Sequence, residues 1–96
     1  MTRQPCVYLL ASHYGGTLYT GVTSNLVKRV WEHKNDMADG FSKQYGAHTL
    51  VWYEVHETME SAIHREKAIK EWKRAWKLEL IDDMNPDWDD LYQKLL

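Results

Sequence analysis

Ninety-six residues and 11.4 kDa leave room for one hydrophobic core, and 44% hydrophobic with 27% charged residues place the chain among folded proteins. Its longest apolar runs, such as Val7-Tyr8-Leu9-Leu10-Ala11, fall far short of a bilayer span, and Met1 to Pro5 carries no apolar leader, so a cytoplasmic protein without a membrane partner is expected. The formal charge of −2 hides eleven Lys/Arg against eight Asp/Glu up to Leu78, then Lys94 against six acids, a balance that argues neither for nor against a polyanionic partner.

Cys6 to Ser12 and Leu18 to Thr23, rich in Val, Leu, Tyr and Thr, read as two strands joined by a turn at Gly15-Gly16. Period-two alternation across an even-length loop puts Tyr8 and Tyr19 on one sheet face. Thr23-Ser24-Asn25 offers helix caps, and Leu26, Val27, Val30 and Trp31 recur at helical spacing, predicting a helix from Asn25 to Met37. Arg29 and His33, four apart, share one face of it. Ala38 to His48 reads as a loop and Thr49 to His56 as a third strand.

A helical pattern then runs from Met59 to Met84, with Met59, Ala62, Ile63, Ile69, Trp72 and Trp76 inward and a break expected near Lys73 to Ala75. The same three- and four-residue steps carry Glu66 onto the apolar face, where a carboxylate is costly unless paired or bound to a cation. Asn85-Pro86 ends this segment, and Trp88, Leu91, Tyr92 and Leu95 mark a short C-terminal helix. The order β-β-α-β-α-α predicts an α+β fold, a small three-stranded antiparallel sheet flanked by helices. The lone Cys6 excludes an intramolecular disulfide and a cysteine-built zinc cage.

Phosphodiester hydrolysis needs an activated water, a cation on the phosphate oxygens and neutralisation of developing charge. A single carboxylate can hold a hard divalent ion that keeps most of its waters, arginine forks onto phosphate, and a phenol beside cations can accept a proton. Tyr8, Tyr19, Arg29, His33 and Glu66 therefore suit a one-metal nuclease site, one hypothesis among several. Taken singly, the tyrosines read as strand residues, Arg29 and His33 as solvated helix positions, and Glu66 as a buried ion pair with Arg29 or Lys70.

Cys6-Val7-Tyr8 followed by Tyr19-Thr20-Gly21 resembles the paired motifs of the GIY-YIG nucleases, and Thr23-Ser24-Asn25-Leu26-Val27-Lys28-Arg29 resembles that family's T-x-N-L-x-x-R helix start. His33-Lys34, Phe41-Ser42 with Tyr45, Leu50 to Glu54, Arg65-Glu66-Lys67 with Ile69-Lys70, and Asn85 to Trp88 are similar to its compact stand-alone members, so residues 1–96 are expected to form one such domain. The resemblance implies an endonuclease acting on nucleic acid, DNA before RNA, with one Mg²⁺ or Mn²⁺ and no small-molecule cofactor. It implies Tyr8 as general base or the phenol that positions water, and Tyr19 and Arg29 on the phosphate. His33 would handle protons or orient Tyr8, and Glu66 would be the metal's sole protein ligand. Lys43, Tyr45, Lys67 and Lys70 are the implied backbone contacts. Cys6, Val7 and Thr20 depart from the name-giving motifs without touching the tyrosines. Some relatives carry an asparagine a dozen residues past the glutamate, where this chain has Lys77-Leu78. Two other classes are consistent with the sequence: a non-catalytic nucleic-acid-binding module, and a protein-interaction adaptor using the acidic tail with Trp88 and Tyr92.

Overall fold

The computed structural model describes residues 3–37 and 40–96, residues 41 and 42 by their backbone alone. Strand β1 (Cys6–Ala11) is the centre of an antiparallel sheet ordered β2-β1-β3, between β2 (Leu18–Thr23) and β3 (Thr49–Val55). Every β1 residue is buried, because helices cover both faces, and its sequence is accordingly an unbroken apolar run.

The two faces gather different clusters. Tyr8 and Leu10 pack with Leu26 and Val30 of α1 (Leu26–Lys34), with Leu50 and with Leu91. Val7, Leu9 and Ala11 pack with Ala62 and Ile69 of α3 (Met59–Glu71), Ile81 of α4 (Arg74–Met84) and Trp88. The register with β3 slips between Leu9 and Leu10, so Leu9 opposes Trp52 while Leu10 opposes Leu50. Val51 is the residue left over at that bulge, so Val51 and Trp52, adjacent in sequence, both join the Leu9 cluster while Leu50 joins the other. The α+β class and the antiparallel three-stranded sheet are as the sequence predicts.

Helix ends differ in instructive ways. Asn25 caps α1 by accepting the Lys28 N–H at 3.2 Å. The helix stops at Lys34 rather than Met37, because Asp36 turns left-handed (φ 55°) and its N–H bonds back to the His33 carbonyl. The stretch expected as a loop contains a short helix, α2 (Gly40–Tyr45), which Gly46 ends at φ 63°. Six residues are too few to display a helical period, which hides this element from pattern reading. Ala38 and Asp39 of that stretch, and the side chains of Phe41 and Ser42, lie outside the described residues. Thr58 caps α3 through the Ser61 N–H at 3.1 Å, and the break before α4 falls at Trp72 and Lys73, both extended. Ile63 and Trp76, placed inward by spacing, are exposed. The buried seam of α3 is only Ala62, Glu66 and Ile69, leaving Ile63 on its rim, and the break resets the phase ahead of Trp76.

The C-terminal segment covers the outer rim of β3. Asn85 donates from Nδ2 to the carbonyls of Val51 (3.1 Å) and Asp89 (2.8 Å) and accepts the Asp89 N–H at 3.1 Å. The Leu91 N–H reaches the Leu50 carbonyl at 2.8 Å, the Leu50 N–H reaches Asp90 at 3.2 Å, and Asp90 pairs with Lys34 of α1. Trp88 and Leu91 are buried ahead of the last helix, α5 (Tyr92–Leu95), which is shorter than their spacing suggests. Among the described residues no helix is long and apolar enough to cross a membrane.

Candidate active site

On the Tyr8 face of the sheet, side chains from β1, β2 and α1 converge. Tyr8 pairs across the strands with Gly21, and Tyr19 stands opposite Leu10, so both phenols project from the same face. Their ring centroids are 6.3 Å apart, tilted by 39°. The fit depends on a missing side chain: a Cβ at Gly21 would fall on Cζ and Oη of Tyr8, deep inside van der Waals contact. Backbone freedom is not the reason for this glycine, since its φ lies outside the left-handed range. It makes space for a ring. Gly21→Ala is therefore expected to cost about 1–3 kcal/mol, as overpacking does, with a lowered Tm in thermal unfolding and a changed Tyr8 environment in near-UV circular dichroism.

α1 supplies the other two groups from one face, as the four-residue spacing requires. His33 is wholly buried, with Nε2 2.9 Å from the Tyr8 hydroxyl. Its ring lies 5.7 Å from that of Tyr8 and 5.0 Å from that of Tyr19. Arg29 hydrogen-bonds Tyr8 and pairs with Glu32 at 3.2 Å. Burial pulls the guanidinium pKa down, but the bonds to Tyr8 and Glu32 and the attraction of Tyr8 and Tyr19 outweigh it, holding the pKa above its ordinary value. Arg29 is thus a permanent cation beside the two tyrosines.

Glu66 arises from the other layer, on α3, which packs over β1 and β2. Its side chain is 11% exposed, and Oε2 meets Lys70 Nζ at 2.6 Å. The structure thus keeps the acid on the seam where the spacing puts it and selects Lys70 from the two partners considered. An i,i+4 pair whose lysine is half exposed contributes only about 0.3–0.5 kcal/mol. That is far less than the several kcal/mol needed to bury an ion, so the pair alone gives no reason for a carboxylate here. Among the described residues no three His, Cys, Asp or Glu gather into a metal cage. The one nearly buried carboxylate, Glu66, is a donor of the kind that suits a hard ion keeping most of its waters, as Mg²⁺ does.

The structure thus joins Tyr8, Tyr19, Arg29 and His33 directly, while Glu66 comes from a separate helix. Lys43 and Tyr45 lie exposed on α2, and Lys67 is exposed on α3. Asn85, which follows the stretch lacking the relatives' asparagine, is a buried structural tie to β3. Sequence reasoning missed the space-making role of Gly21. The register Tyr8↔Gly21 could have exposed it, since a large ring opposite a bare α-carbon is a cross-strand fit.

Residues 4–79 match the family model described as the GIY-YIG catalytic domain. A UPF0213 protein of Staphylococcus saprophyticus is 35% identical over 68 residues, 71% of this chain and 83% of that protein. A UPF0213 protein of Clostridium perfringens is 40% identical over 65 residues, 68% of this chain and 70% of that one. The solution NMR structure of a UPF0213 protein from Bacillus halodurans shares the fold, with a TM-score of 0.56 over 91% of this chain and 92% of that one at 23% identity.

Proposed function

The chain belongs to the GIY-YIG catalytic-domain family, and from that premise we propose that it is a divalent-metal-dependent endonuclease hydrolysing phosphodiester bonds, with DNA preferred to RNA. The observation that carries the reading is the contact set around Tyr8, whose hydroxyl is shared by a buried imidazole and a charged guanidinium. Structural packing alone does not require two phenols, an imidazole and an arginine at one point of a sheet face. Residues 1–96 act as one catalytic unit in this reading, working in the cytoplasm.

The division of labour follows from burial and charge. Arg29 takes the non-bridging phosphate oxygens, its planar fork matching their geometry. Half-buried Tyr19 and Arg29 form the rim, and Tyr19 donates its hydroxyl to the phosphate. Tyr8, beneath them at 1% exposure, orients the attacking water and accepts its proton while passing its own to His33 Nε2, in the tautomer that leaves Nε2 unprotonated. Glu66 would hold the metal, which when bound supplies positive charge at the phosphate and acidifies its waters. Occupying that position requires Lys70 to give up Glu66 Oε2.

The test is a cleavage screen with purified protein on single-stranded, duplex, nicked and flap DNA and on RNA, in Mg²⁺ or Mn²⁺ and in EDTA. Cleavage of at least one DNA form, lost on chelation and restored by excess metal, is expected. No cleavage of any form in either metal overturns the reading. Salt-sensitive binding without cleavage would instead establish a non-catalytic nucleic-acid-binding module.

A further inference from the structure

Beside Arg29, a polar groove of about 210 Å³ opens between Arg3, the end of β2 at Thr23 and the first turn of α1. Arg3, Lys28 and Arg29 line it, with Ser24, Asn25 and Glu32. Three cations face one carboxylate, and that carboxylate is already engaged by Arg29. The side chains of Arg3 and Lys28 are exposed and have no acidic partner among the described residues. The Ser24 side chain likewise makes no intramolecular hydrogen bond among them, although its carbonyl accepts the Gln4 N–H at 2.9 Å. The nine-residue α1 points its N-terminus into the same space, adding a partial positive charge. No aromatic or large apolar side chain forms a wall, so nothing here would stack a base or hold a sugar face.

We propose that this groove is a subsite for a second backbone phosphate of the bound nucleic acid, adjacent to the one held by Arg29, with Arg3 and Lys28 as its cations. The inference rests on the nuclease reading of the Arg29 site and adds to it the path of the strand. Arg29 lines the groove and contacts Tyr8, so it joins the two places directly. A polyanion running from the tyrosines past Arg29 enters a groove whose chemistry suits a small anion and little else.

The experiment measures affinity for labelled single-stranded and duplex oligonucleotides in EDTA across a salt series, so that no cleavage intervenes. Lys28→Gln and Arg3→Gln are each expected to weaken binding to every sequence alike and to flatten the slope of log K against log salt by about 0.7–0.9. Lys28→Arg restores the slope, and Lys94→Gln, a charge change on α5, leaves it unchanged. Both altered side chains are exposed, so Tm is expected to stay at the wild-type value. Under cleavage conditions the same variants raise KM and leave kcat in place. Slopes and affinities equal to wild type in the Arg3→Gln/Lys28→Gln double variant overturn the subsite, whether or not the protein cleaves. Flattened slopes in a protein that cleaves nothing sustain the subsite and reject the nuclease reading.

Discussion

Glu66→Ala is expected to abolish metal-dependent cleavage, lowering it roughly 10²–10⁴-fold, the equivalent of the several kcal/mol that a bound cation's charge supplies to such a reaction. The fold should survive. Alanine is the best helix former, and the substitution removes a buried charge together with a pair worth only about 0.3–0.5 kcal/mol, so Tm is expected to hold or rise. Unchanged stability alongside lost activity is the signature of a residue kept for chemistry rather than packing. Glu66→Gln sharpens the point by preserving shape while removing the charge. Single-turnover cleavage with Mg²⁺ and with Mn²⁺, beside thermal unfolding, provides the measurement. A Glu66→Ala protein as active as wild type would remove the metal role from this residue.

Tyr8→Phe is expected to act on both activity and stability, and in unequal measure. Loss of the hydroxyl takes a partner from the fully buried His33 Nε2 and from Arg29, at about 1–3 kcal/mol of stability. Proton handling in the reaction should suffer more, by roughly 10²–10⁴-fold in kcat. Urea unfolding and single-turnover rates separate the two effects. If the rate falls no further than the unfolded fraction explains, Tyr8 is a packing residue and the proton route through His33 is wrong. Gly21→Ala provides a companion case, because it presses on the same ring and its hydroxyl from the opposite strand while leaving the hydroxyl on the protein.

Much of this site was legible because it follows strict periodicities. Alternation fixes Tyr8 and Tyr19 on one face once the loop is even, and the helical repeat fixes Arg29 with His33. Glu66 was legible as an anomaly, a charge on the seam that includes Ala62 and Ile69. What escaped obeys no period. The bulge at Leu9/Leu10, the short helix after Gly40 and the left-handed turn at Asp36 are each decided by one or two residues in tertiary context. Ile63 and Trp76 looked inward on a continuous helical wheel and turned outward because the buried seam is narrow and the helix breaks at Trp72. Lys28 and Arg3 lie 25 positions apart in sequence, and only the folded chain sets them around one groove.

The seal that Asn85, Asp90 and Leu91 place over Leu50 and Val51 has a bearing on handling the protein. An unguarded strand border is a template on which further copies can stack their own backbones, and those last dozen residues occupy it. Shortening the chain from that end is expected to bare the Leu50 and Val51 backbone for pairing with other copies, read as aggregation by light scattering. Any truncation or fusion is therefore best placed so that residues 85–96 stay intact.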